Sequence, residues 1–136
     1  MKLSLQKRIP AFNLQETLIV LAIIGILLLL ALPNLMPLIS KAKSVEAQTQ
    51  LKAIYNAQST YRYVNSRFTP DMGELDFEPP RTVKENGTAN FRYEIIQADN
   101  ATFKARAEAV TDFDGDGIMN VWEIDEQGNP KQTVKD

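Results

Sequence analysis

From Thr17 to Ser40 the chain reads TLIVLAIIGILLLLALPNLMPLIS, an apolar run with no charged side chain. As a helix rising ~1.5 Å per residue it would span roughly 36 Å, enough to cross a bilayer core. Behind it the apolar positions thin out and become periodic. Ala47, Leu51, Ile54, Ala57, Tyr61, Val64 and Phe68 step by three or four, with Gln48, Lys52, Asn56 and Arg62 between them. That is one face of an amphipathic helix continuing the first. Pro70 closes the pattern, so the helix should end near Ser66. Pro33 and Pro37 interrupt the apolar half, and each costs about 3 kcal/mol in a helix interior, so a kink is expected there.

Past Pro70 the period changes. A loop at Glu78-Pro79-Pro80 precedes two stretches rich in β-formers and partly alternating, Phe91 to Ile96 and Thr102 to Val110. Asn86-Gly87 and Asp99-Asn100 mark turns beside them. Val121 to Ile124, a turn at Gln127-Gly128-Asn129, and Lys131 to Val134 suggest a closing hairpin. The expected class is α+β: one long N-terminal helix packed on a small antiparallel sheet.

Charge changes the picture at one place. Glu16 opens the apolar run, behind a leader, MKLSLQKRIPA, that carries Lys2, Lys7 and Arg8. A charged side chain in such a segment costs roughly 2.5–3.5 kcal/mol on insertion scales unless it is paired. A free α-amino group, made by cutting the chain just upstream, would supply the partner. An ordinary secretory signal explains the apolar run less well, because no A-x-A site follows Leu32. A plain transmembrane anchor fits the length, and the leader cations against Lys41 and Lys43 favour a cytoplasmic N-terminus. Neither accounts for Glu16.

This arrangement resembles the type IV pilin and type II secretion pseudopilin family, whose members carry a basic leader, a small residue, usually glycine, then Phe-Thr-Leu-Ile-Glu and an apolar helix. Ala11 stands at the glycine position, Phe12 at the new N-terminus and Glu16 four residues on. Asn13-Leu14-Gln15 departs from the usual Thr-Leu-Ile. Gly25 and the Leu32-Pro33-Asn34 step also fall where the family often has them. Asn65-Ser66-Arg67-Phe68-Thr69-Pro70, followed by Met72-Gly73-Glu74-Leu75, looks like the helix-to-loop junction of major pseudopilins. The resemblance implies a leader (1–11), a membrane and filament-core helix (12–40), an amphipathic half (41–69) and a β-rich head (70–136). It implies cleavage between Ala11 and Phe12 by a prepilin peptidase, N-methylation of Phe12, and pairing of Glu16 with the Phe12 amine in a helical homopolymer. It further implies an inner-membrane assembly platform, minor pilins or pseudopilins as partners, and melting of the helix between Gly25 and Pro33 on packing.

The head carries a second motif. Asp112-Phe113-Asp114-Gly115-Asp116-Gly117-Ile118-Met119-Asn120-Val121-Trp122-Glu123 fits the calcium pattern D-x-[DN]-x-[DN]-G-x₅-E. Asp112, Asp114 and Asp116 would give side-chain oxygens, Ile118 its carbonyl, Asn120 a direct or water-bridged contact, and Glu123 both oxygens, around Ca2+. The flanks read as strand, so an isolated structural loop is expected, not a paired EF-hand sensor. The plainer alternative is a solvated acidic turn. Major pseudopilins order a C-terminal loop with calcium, which adds weight by resemblance, though their spacing differs.

Composition narrows the function classes. The chain has no cysteine and no histidine, which removes disulfides, imidazole bases and a Ser-His-Asp triad. No nucleophile sits beside a base, so an enzyme reading is poor. Removing the leader's three cations leaves 12 of the 15 basic residues against 17 acidic ones, and a nucleic-acid partner is not expected in a secretion role. Tyr55, Tyr61 and Tyr63 read as core or subunit contacts. The sequons at Asn86-Gly87-Thr88 and Asn100-Ala101-Thr102 read as chance matches. Three readings remain. The first is a major pseudopilin of a type II secretion-like system, held in the bacterial inner membrane before entering a periplasmic filament. The second is a surface type IV pilus subunit, for adhesion, motility or DNA uptake. The third is a membrane-anchored calcium-binding protein that does not assemble.

Overall fold

The computed structural model describes residues 10–135, so the expected leader is within view only at Pro10 and Ala11. The chain divides into two compact units, residues 1–35 and 36–136. One helix, α1 (Leu14–Asn65, 52 residues), contributes to both.

In the first unit α1 begins on a local cap. Asn13 precedes the first helical residue, its carbonyl accepts the Thr17 N–H at 3.1 Å, and its own N–H donates to Glu16 Oε2 at 3.1 Å. This is the return half of a capping box, with Glu16 at the third helical position. From there every large apolar side chain is exposed, among them Leu18, Ile24, Leu29 and Leu32. The helix is not divided at Pro33 or Pro37. Near Pro33, which deprives the Leu29 carbonyl of its usual donor, the Asn34 amide donates to Leu30 O at 3.3 Å.

The second unit shows why the later half of α1 is amphipathic. Ser44, Ala47, Leu51, Ile54 and Gln58 are its buried residues, spaced three and four apart as one helical stripe requires. They pack on a four-stranded antiparallel meander of order β1-β2-β3-β4, made of β1 (Phe91–Ala98), β2 (Phe103–Ala109), β3 (Val121–Asp125) and β4 (Lys131–Val134). On β2 Phe103, Ala105, Ala107 and Ala109 are buried in strict alternation, the period of a strand with one face on the core. Phe68, Phe91, Phe103 and Ile124 fill the space between sheet and helix.

Polar clamps join the pieces. The Gln58 side chain, fully buried, donates to Thr69 O at 2.7 Å and accepts the Thr69 N–H at 3.1 Å. It ties the returning chain to the helix just after Ser66, whose φ of 58° turns it away. Glu46 receives the Asn90 N–H at 3.0 Å and the Asn90 amide at 2.8 Å, fixing the start of β1. Gly128, at φ 77°, brings the β3–β4 turn onto α1, where Lys52 Nζ donates to its carbonyl at 2.8 Å.

The observed elements lie close to those expected. The helix ends at Asn65, β1 runs two residues past Ile96, and β3 reaches Asp125. A register shift between Ile95 and Gln97 explains the blurred alternation of β1. Two short 3-10 turns, Met72–Glu74 and Val83–Glu85, occupy stretches that carried no helical pattern.

Candidate functional site

Two places hold the residues singled out in the sequence, and they belong to different units. At the head of α1, Ala11 and Phe12 are non-helical and exposed, Phe12 at 85%. The bond between them therefore lies outside the helix. The Glu16 carboxylate is turned back over the first turn, onto the Asn13 amide. It thus faces the N-terminal side of the helix, one residue beyond Phe12.

In the head the acidic loop connects β2 to β3. Asp112, Asp114 and Asp116 each offer an oxygen within 4.8 Å of the others. The local sequence makes this arrangement, through a chain of turns in which each aspartate caps amides two to five residues on. Asp112 Oδ1 accepts from Gly115 N at 2.6 Å and Asp112 Oδ2 from Gly117 N at 2.6 Å. Asp114 Oδ1 accepts from Asp116 N at 3.1 Å, and Asp116 Oδ1 from Ile118 N at 2.7 Å. Gly115 and Gly117 take φ of 88° and 87°, which their lack of a Cβ permits. The Gly117 and then the Gly115 amide hold the Asp112 carboxyl below the usual carboxylate range.

Of the other sequence-predicted ligands, the Glu123 and Asn120 side chains are engaged elsewhere. Glu123 lies on β3 opposite Arg106, and its Oε1 accepts from Arg106 Nε at 3.1 Å and an Arg106 NH2 group at 2.9 Å. Asn120 is fully buried. It donates to Ser40 Oγ at 3.0 Å and accepts from the Gln132 amide. The Ile118 side chain is exposed, and its N–H belongs to Asp116. Three carboxylates converging from alternate positions suit a hard divalent cation with oxygen ligands. The closing bidentate glutamate does not join them.

The sequence pattern missed what anchors the loop. Phe113 is buried edge-on to Phe91, centroids 5.6 Å apart, with Lys43 Nζ 4.4 Å from its ring. With Asn120 on Ser40, both ends of the loop are tied to α1 between Ser40 and Lys43. The aromatic inside the acidic run was the only signal available.

A long exposed apolar helix, continuing as the backing helix of a four-stranded antiparallel meander, defines an α+β helix-plus-sheet class. The type IV pilin-like G and H family matches over residues 44–115, and the chain belongs to that family. It is 41% identical over 70 residues to the type IV major pilin protein PilA of Myxococcus xanthus (strain DK1622), covering 52% of this chain and 32% of that protein. It is 35% identical over 71 residues to the type II secretion system core protein G of Aeromonas hydrophila, covering 52% of this chain and 50% of that protein. The chain thus spans half or less of the length of either relative.

Proposed function

We propose that this chain is the structural subunit of a type IV filament, specifically the major pseudopilin of a type II secretion-like system. The observation that carries the reading is the head of α1, where an unbroken exposed apolar helix begins with a carboxylate turned toward its N-terminal side. Such a surface is stable in a bilayer, or against copies of itself. The subunit would wait in the inner membrane, lose residues 1–11 to a prepilin peptidase, receive a methyl group on Phe12, and be lifted by an assembly platform into a helical polymer with minor subunits.

In that polymer Glu16 pairs with the Phe12 amine of a neighbour and sets axial register. At about 4 Å and an effective dielectric near 20, the attraction is about 4 kcal/mol before desolvation. In the uncleaved chain the carboxylate caps Asn13 and no such amine exists, so cleavage would convert a local cap into a docking group. The test is Glu16→Ala in cells expressing the full assembly system. The variant should insert and lose its leader at the normal level, yet yield no sheared filament. Normal filament yield would overturn the role given to Glu16.

For the head, we propose that Asp112, Asp114 and Asp116 hold Ca2+ together with the Ile118 carbonyl, and that the ion stiffens the β2–β3 connection. The converging carboxylates support this, and the sequence pattern with its missing cysteines adds weight. The likeness to a major pilin supports a surface pilus as the second reading. Long fibres outside the cell would favour it, and loss of exported protein on deletion would favour the first.

A further inference from the structure

Trp122, the single tryptophan of the chain, has its indole Nε1 buried with no hydrogen-bond partner among the described residues. A buried donor without an acceptor has given up hydration and gained nothing, and native proteins seldom leave one so. Trp122 is one of the residues lining a cavity of about 430 Å³ in the second unit, between the Pro37–Gln48 stretch of α1 and the β3–β4 hairpin. Lys41 and Lys135 line the same cavity, together with Gln48 and the apolar Leu38.

The donor balance identifies the guest. Among the described residues no carboxylate lines the cavity, and neither lysine makes an ion pair. Asp136, which follows Lys135, lies outside the described residues. Ser40 and Gln132 also reach the cavity, but both are bonded to Asn120. What remains on the cavity wall is two ammonium groups and one amide, beside the covered indole of Trp122, a set that an anion with several oxygens would satisfy.

Position supplies the source of that anion. Lys41 is the first charged residue after Glu16, directly behind the apolar run that ends at Ser40. With that run in the bilayer, Lys41 and the cavity stand where the helix leaves hydrocarbon. This is the depth of lipid phosphates, where tryptophan and lysine side chains are characteristically found.

We propose that this cavity binds a phosphate-type anion, supplied by the headgroup of an anionic phospholipid. The lipid would fix the depth and rotation of the subunit in the membrane before assembly. The proposal rests on the membrane reading of α1 but not on filament formation.

The single tryptophan gives a local readout. The full chain is reconstituted in nanodiscs of phosphatidylcholine, with and without phosphatidylglycerol, and Trp122 emission and its acrylamide quenching are followed. Phosphatidylglycerol should shift the emission and protect it from quenching, saturably. Lys41→Gln and Lys135→Gln should each weaken the response about fivefold. Inorganic phosphate is titrated separately in phosphatidylcholine discs. A matching change there keeps the anion site and makes a free phosphate its source. No response to either probe overturns the proposal, as does an equal response in the doubly substituted chain. Failure to co-elute with discs would instead sink the membrane reading, and phosphate titration in detergent would still decide the cavity.

Discussion

Gln58 occupies a position in the buried stripe of α1 where the period calls for an apolar residue. Its amide satisfies both the N–H and the carbonyl of Thr69, so the chain leaving the helix is held without solvent. Gln58→Leu keeps the volume and strands both backbone groups. It should lower stability by about 1–3 kcal/mol in denaturant unfolding, and a loss below ~0.5 kcal/mol would contradict the clamp. Gly128 is constrained by space as well as by φ, since an added Cβ would lie 2.8 Å from Tyr55 Cζ. At this scale the sequence was most readable where chemistry was isolated, as with Glu16 alone at the head of an apolar run. It was least readable for Gln58 and Asn120, because their partners lie 11 to 80 residues away along the chain. Tyr93 belongs with them, its phenol pushed up by burial and by Glu46, 47 residues earlier on the facing helix.

Among the elements, the helix and all four strands follow from period and turn chemistry. The 3-10 turns do not, because three residues carry no periodicity. The acidic loop was legible as a cluster, and Asp112, Asp114 and Asp116 do converge. Glu123 was not legible as an ion-pair partner, since its place in the pattern coincides with its place opposite Arg106 on β2. Two expectations follow for the loop. Because amide donors hold the Asp112 carboxyl low, its contribution is complete above the ordinary carboxylate value of about 3.9 and is lost as pH falls through the lowered one. Exchange protection at Gly115 and Gly117 should therefore persist at pH 5 and disappear only below pH ~4, and loss beginning above pH 5 would contradict this. If calcium binds with the weak ~10⁻⁴–10⁻³ M affinity of extracellular modules, 10 mM of the ion should add about 1.4–2.7 kcal/mol. Asp114→Asn with Asp116→Asn should abolish that gain, and an unchanged thermal midpoint on adding calcium would remove the ion from the account.

For the molecule as a whole, the decisive feature is a division of labour along one helix. From Ser44 onward a stripe is buried against the sheet, whereas the large apolar side chains from Leu18 to Ile39 are all exposed. That apolar surface needs either lipid or other copies, and a filament subunit uses both in turn. The head, with 136 residues in the whole chain and no cysteine, depends on its aromatic core and polar clamps. Membership of the pilin-like family was legible from the first forty residues, although the family match itself lies at 44–115. The pairing proposed for Glu16 needs a new amine, so it depends on processing of the chain. Intact-mass measurement of the membrane-purified protein, with N-terminal peptide mapping, tests it most directly. Loss of residues 1–11 is expected, giving a chain that begins at Phe12 with an added methyl group on its amine. A chain that keeps its leader would deprive Glu16 of its partner and contradict the filament reading, leaving a membrane-anchored protein that does not assemble.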